Sequence, residues 1–292
     1  MIDGSNSIAI AGTGRVAQAL GRLLSEGGQP VVAIAGRNPE RTVRAAQFIG
    51  ARTSPSTIEK LPNFASHILI AVSDTAVEPV AAVLARSGFR KGIALHTCGA
   101  KGPEAIAVLA GQGVSCGALH PLQSFASAEE GLSRVAGSSF AIDGEPEALK
   151  WASSIVGLAG GRSLRIRPEV RSLYHAAAVM ASSYITALIH AAAEILEAAG
   201  VPRSTGLTAL APLARTCAEN SFNIGPVEAL TGPIERGDST TVLGHLKDLA
   251  NLSPPVRRLY CSAGELVVQM ALVRGLRETK AEEIGRMLRS AK

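Results

Sequence analysis

The feature that most narrows what this chain can fold into is Gly12-Thr13-Gly14-Arg15-Val16-Ala17, set directly behind the apolar run 7–11 and ahead of the amphipathic stretch 15–26. A short buried strand, a glycine turn and a helix in that order predict a βαβ unit of the dinucleotide-binding kind. Gly12 permits the tight bend, Gly14 lets the backbone approach a pyrophosphate, and Ala17 stands where a third glycine would, still small enough for close helix–sheet packing. The helix start then offers free N–H groups and a positive dipole end to phosphate. The same glycines would also serve a plain strand–turn–helix with no ligand.

The rest of the first half continues the alternation. Short apolar, β-branched runs at 31–35, 67–72, 93–97, 114–119 and 138–142 read as buried strands, with a further one at 163–166 extending or edging the sheet. Helical stretches such as 40–49 and 76–86 lie between them, which predicts an α/β fold with a Rossmann-type doubly wound parallel sheet. After Pro168 the strand pattern stops. Residues 169–199 read as one long helix, closed by Gly200 and Pro202, with further helices at 203–220, 240–250, 255–274 and 280–288 and a Gly/Pro-punctuated connector at 224–237. The expected organisation is therefore a nucleotide-binding domain, 1–167, and an all-α domain, 168–292.

Composition excludes several classes. Aromatic residues make up only 3% of the chain against 47% apolar, so alanine and aliphatic side chains must fill the core. The net charge of +5 comes from dispersed basic residues with no interleaved aromatics, which suits anionic small ligands and argues against nucleic acid. The stretch 176–193 comes nearest to a membrane span but is interrupted by Ser182, Ser183, Tyr184, Thr186 and His190, so no membrane segment is expected. Cys98, Cys116, Cys217 and Cys261 form no CxxC pair and no leader peptide is read before the glycine turn, so free thiols in the cytoplasm are expected.

The tip of the second strand bears on the choice of dinucleotide. It reads Ala35-Gly36-Arg37-Asn38-Pro39-Glu40-Arg41, with no acid to bond a ribose 2′-hydroxyl. Arg37 and Arg41 suit a 2′-phosphate, and Asn38 followed by Pro39 can cap the next helix, so NADP is expected over NAD. The expected cofactor residues are Gly12, Thr13, Gly14, Arg15, Val16, Arg37, Asn38, Arg41, Val72, Ser73, Asp74 and Thr97. Asp74 also reads as the cap of a helix starting at Thr75.

Two histidines, His96 and His120, fall at strand ends, where ligands of open α/β sheets bind. Either could exchange a proton with a substrate oxygen or nitrogen, or bond structurally to backbone. Ser124, His175 and Arg236 are candidate substrate contacts. His175 and Ser182 are seven residues apart on one helix face, and Arg236 could clamp a carboxylate. Asp238 reads as a helix cap. Cys116 and His120, four residues apart on an extended strand, span roughly 13 Å and cannot share one metal, so no metal site is expected. Cys98 could be an activated thiol or a structural one.

The phrases GTGRVA, AVSDTAV, LHTCGA, GALHPLQSF, YHAAAVMASSY and LTGPIERGD together resemble the Rossmann-like oxidoreductases whose C-terminal half is a domain of unknown function. The resemblance runs from about Ser7 to Val267. More distantly the chain is similar to pyrroline-5-carboxylate reductase, ketopantoate reductase and prephenate dehydrogenase. It implies a helical domain resembling the C-terminal type of 6-phosphogluconate dehydrogenase, a homodimer formed through it, and a site in the interdomain cleft. It implies no defined substrate. The close family often carries serine where Cys98 stands and asparagine where Ser183 stands, and the wider superfamily's lysine–asparagine helix pair has no match here. The function expected is an NADP-dependent oxidoreductase acting on a small carbonyl, imine or hydroxy-acid substrate. A non-catalytic NADP-binding sensor or scaffold is the alternative.

Overall fold

The computed structural model describes residues 6–292. The chain forms two compact units, Met1–Met180 and Ala181–Lys292. The division falls beyond the boundary expected near Arg167, because residues after Pro168 are held to the sheet by side chains: Arg171 to Asp143 and Tyr174 to His120.

In the first unit the strands are β1 (Ile8–Ala11), β2 (Val31–Ala35), β3 (Ser54–Ser56), β4 (His67–Ile70), β5 (Ile93–His96), β6 (Ser115–Pro121), β7 (Ser139–Gly144) and β8 (Arg162–Arg165). They form one sheet in the order β3-β2-β1-β4-β5-β6-β7-β8. Order reversal at β1 makes it doubly wound, as expected, and β1 to β6 run parallel. β7 runs antiparallel to β6, and β8 follows β7 in parallel, so the last two strands oppose the rest. The short, half-polar β3, Ser-Pro-Ser, carries no apolar run that would announce it.

The helices of this unit are α1 (Arg15–Glu26), α2 (Pro39–Ile49), α3 (Val77–Arg86), α4 (Ala107–Ala110), α5 (Ala128–Val135), α6 (Pro146–Leu158) and α7 (Arg171–Val179). Alternation along the strands separates two cores. Ile8, Ile10, Ile34, Leu69 and Leu95 pack with Leu20, Ile49 and Ile155 on one face. Ala9, Ala11, Ile68, Ile70 and Ala94 pack with Val77, Leu84 and Leu109 on the other. His96 pairs with Ala118 in the parallel register, so His96, Ala118 and His120 all project to this second face, toward the β5–β6 end where ligands of such sheets bind.

In the second unit the helices are α8 (Ile185–Ala198), α9 (Arg203–Ile224), α10 (Ser239–Leu249), α11 (Pro254–Val273) and α12 (Glu278–Ser290). Ile234, Val242, Leu246, Cys261, Val268, Ile284 and Leu288 make a small core among α10 to α12. Asp238 caps α10 by accepting the Thr241 N–H at 3.0 Å, as the sequence predicts. Gly200, at φ +88°, follows α8 and Pro202 precedes α9. Where one helix over 169–199 is expected, a π-helical turn, Met180–Tyr184, stands between α7 and α8. Ser182 and Ser183, poor helix formers, lie in that turn.

α8 buries only Ala191 and Ala193, and α9 only Gly206. Phe222 is 85% exposed and Leu213 67%. Pro168–Ala198 is long and apolar enough to cross a membrane by length and composition alone, and 11% of its most apolar window is buried.

Candidate functional site

A cavity of about 790 Å³ opens at the carboxyl ends of β1, β2 and β4. Of the twelve residues expected to hold the dinucleotide, eleven line it: Gly12, Thr13, Gly14, Arg15, Val16, Arg37, Arg41, Val72, Ser73, Asp74 and Thr97. Asn38 lies outside the lining. Its side chain accepts the Arg41 N–H at 2.9 Å and caps α2, which anchors the arginine that does face the cavity.

The two loop glycines answer to different demands. Gly12 has φ +121°, and a Cβ there would stand 2.1 Å from the Ala71 carbonyl oxygen, so the fold itself requires glycine. Gly14 has φ −75°, which any residue adopts, and a Cβ there would meet nothing within 4 Å. The protein gives no internal reason for a glycine at that position. α1 begins immediately after it with no side-chain cap, and its first residues, Arg15 and Val16, line the cavity. Residues of the loop thus fit a pyrophosphate. Neither Arg37 nor Arg41 takes part in an ion pair among the described residues. Arg15 instead donates to the Phe125 carbonyl at 2.9 Å and ties that aromatic residue to the cavity wall.

Asp74 does not cap a helix. A 3-10 turn, Asp74–Ala76, precedes α3, and the α3 cap position is Ala76. The Asp74 carboxylate instead accepts the Cys98 thiol, and burial with this bond pushes the thiol up to about 11. Cys98 is therefore a protonated, structural thiol at neutral pH, and the activated alternative fails. Among the described residues no three His, Cys, Asp or Glu side chains group as metal ligands.

The two strand-end histidines have different surroundings. His96 is fully buried. The Cys98 N–H donates to its Nδ1 at 3.2 Å, so the proton sits on Nε2, which donates to the Gly102 carbonyl at 2.8 Å. Both nitrogens are occupied by backbone and burial lowers its pKa, so the catalytic expectation for His96 gives way to a structural one. His120 pairs instead with a side chain. Its Nδ1 lies 2.7 Å from the Tyr174 hydroxyl, with the rings edge to face. Its Nε2 faces Gly99, where an added Cβ would lie 2.8 Å from His120 and from His175 alike. The His175 ring centroid is 6.1 Å from that of His120.

Burial, with His175, Arg171 and His96 acting in the same direction and Asp74 against them, pushes His120 down to about 4. Burial pushes Tyr174 up to about 12. A protonated phenol beside a neutral imidazole donates to Nδ1, which leaves the imidazole proton on Nε2, toward Gly99. Arg171 completes the cluster from the same face of α7, three and four residues before Tyr174 and His175, and reaches Asp143 Oδ2 at 3.3 Å.

Within the first unit, Ser124 does not join this cluster. Ser124 is exposed, with its N–H taken by Gln123 Oε1 at 2.8 Å. Arg236 is exposed on the second unit.

Residues 7–93 match the family model described as NADP oxidoreductase coenzyme F420-dependent, and residues 138–267 match Domain of unknown function (DUF2520). The chain pairs an NADP-oxidoreductase domain with a DUF2520 domain. The first description names the dinucleotide that Arg37 predicts. Solved structures share the fold. A Bacteroides fragilis protein assigned to the NADP oxidoreductases has a TM-score of 0.76 at 23% identity, covering 90% of this chain and 98% of that one. The pyrroline carboxylate reductase of Plasmodium falciparum, solved with NADP bound, has 0.61 at 13%, covering 97% and 98%. A reductive aminase of Aspergillus terreus, in complex with NADPH and ethyl-5-oxohexanoate, has 0.60 at 15%, covering 98% and 93%. No curated protein sequence matches the chain.

Three members of the cluster around His120 escape a reading of the sequence: Tyr174, Arg171 and Asp143. The spacing Arg171, Tyr174, His175 on a helix is a usable signal for the first two. Asp143, at the end of an unremarkable strand, carries none.

Proposed function

We propose that the protein is an NADP-dependent oxidoreductase acting on a small carbonyl, imine or hydroxy-acid substrate beside His120. The observation that carries this reading is Gly14: a glycine with no internal cause, at the uncapped start of α1, in a cavity that also contains the unpaired Arg37 and Arg41. The α1 N–H groups would hold the pyrophosphate, and Arg37 with Arg41 the 2′-phosphate. NADPH bound there supplies the reducing equivalent for a C=O or C=N carbon. His120 presents a neutral Nε2–H donor to the substrate heteroatom that gains negative charge, and the Tyr174 hydroxyl on Nδ1 fixes its tautomer and ring angle. His96, bonded on both sides to backbone, holds the Cys98–Gly102 turn that carries Gly99.

The second unit serves as a homodimerisation domain. The uncovered apolar residues of α8 and α9, Leu188, Leu213, Phe222 and Ile224 among them, support that reading, since monomers rarely expose so many together. The four free cysteines fit a cytoplasmic setting.

The test is calorimetric titration with NADPH and NADH, for the wild type and Arg37→Ala. Binding of NADPH at least about tenfold tighter than NADH, an advantage lost in Arg37→Ala, is expected. Equal affinities for the two nucleotides would sink the assignment. Stereospecific loss of label from 4-deuterated NADPH with a carbonyl and imine panel, abolished by His120→Asn, then tests catalysis.

A further inference from the structure

Arg171 is the polar group of the first unit least accounted for by the fold. Its side chain is 3% exposed. One guanidinium nitrogen, Nη2, reaches Asp143 at 3.3 Å, a long contact to a carboxylate that is itself 26% exposed. Nε and Nη1 are buried and have no hydrogen-bond partner among the described residues. A guanidinium does not deprotonate, so its charge is carried into the interior with donors unmet. Buried charges in folded proteins are otherwise paired and hydrogen-bonded.

The position of this charge gives the orphaned donors a meaning. Arg171 shares a face of α7 with Tyr174 and His175; both of their rings lie against His120, and His175 and His120 meet beside Gly99. Its field acts on His120, Tyr174 and His96, in each case against added positive charge. Asp74 lies on the other side of the balance but is engaged by the Cys98 thiol.

We propose that the substrate taken beside His120 is an anion, a small carbonyl or imine compound bearing a carboxylate, and that Arg171 is the residue that binds the carboxylate. This rests on the oxidoreductase reading of the same site. The carboxylate accepts from the Arg171 donors that the fold leaves unmet, and its charge neutralises the buried guanidinium. A neutral analogue leaves those donors unpaired, which is the situation in which polar sites discriminate most strongly. Arg171 is thereby a specificity-determining residue, and His120 handles the reacting heteroatom.

The test uses the full chain saturated with NADPH and two non-reducible probes of one shape, cyclopentanecarboxylate and cyclopentanecarboxamide, with inorganic phosphate as a third. Calorimetric titration compares wild type, Arg171→Lys and Arg171→Met. The expected result is carboxylate bound at least about tenfold more tightly than carboxamide by the wild type, a smaller preference in Arg171→Lys and parity in Arg171→Met, with the NADPH affinity unchanged throughout. Parity in the wild type, absence of carboxylate binding up to about 50 mM, phosphate bound as well as carboxylate, or a preference that survives in Arg171→Met would each overturn the assignment. If Arg171→Met does not fold, the wild-type comparison and Arg171→Lys decide. Failure of the wild type to bind NADPH would instead count against the oxidoreductase reading.

Discussion

Alanine substitution at the two loop glycines separates a glycine required by the fold from one required by a ligand. In Gly12→Ala the new Cβ would lie 2.1 Å from the Ala71 carbonyl oxygen at φ +121°. Left-handed strain of about 1–2 kcal/mol and overpacking of about 1–3 kcal/mol add to a loss of about 4 kcal/mol. For a unit of this size that lowers Tm by about 10 °C. In Gly14→Ala the Cβ enters open space at φ −75°. Exchanging glycine for alanine at a helix N-cap costs under about 1 kcal/mol, and the reduced freedom of the unfolded chain returns about 0.4–1 kcal/mol, so the net is near zero. The same methyl would stand where a pyrophosphate approaches the backbone, a steric cost of about 1–3 kcal/mol, or roughly 5- to 150-fold in affinity. Thermal unfolding without nucleotide and NADPH titration read the two effects apart. If Gly14→Ala bound NADPH like the wild type, or lowered the nucleotide-free Tm as far as Gly12→Ala does, the assignment of the loop to a dinucleotide would be wrong.

Acid weakens this fold through its histidines. His120 is pushed down to about 4, and His67 and His96 are also lowered. Between that value and the ordinary 6.5 the unfolded chain binds more protons than the folded one, so stability is whole above about 6.5 and falls toward pH 4, by roughly 3 kcal/mol for His120 alone. Urea midpoints measured across that window should fall less steeply for His120→Asn; identical slopes would contradict the burial of this charge. Cys98 and Cys116 should alkylate slowly at pH 7.5, since both are buried and pushed up to about 11 and about 12; mass spectrometry that finds Cys98 labelled first would restore the activated-thiol reading. Phe222→Asp with Leu213→Asp should convert a dimer to a monomer in light scattering, with Tm little changed because both side chains are exposed in the single chain. A variant still dimeric would place the contact elsewhere.

What the sequence by itself determined is local. The glycine turn, Arg37 at the tip of β2, the caps Asn38 and Asp238 and the stop at Gly200 each depend on neighbours within a few residues, and all are formed as read. What only the tertiary structure decided depends on distant partners. His96 and His120 look alike in sequence, each closing a parallel strand. They part because a turn brings Gly102 and Cys98 onto both nitrogens of His96, while Tyr174, 54 residues away along the chain, takes one nitrogen of His120. The opposed direction of β7 and β8 follows from a turn and pairing that periodicity does not encode, since alternation reads the same in either direction. Arg171 looks like any helical surface arginine until the fold buries it beside Asp143 with donors to spare. The dinucleotide cavity was legible because short contiguous motifs at strand ends, the loop 12–17 and the tip of β2 among them, line it. The cluster around His120 was not, because it is assembled from β6, β7 and α7, and only packing brings those side chains together.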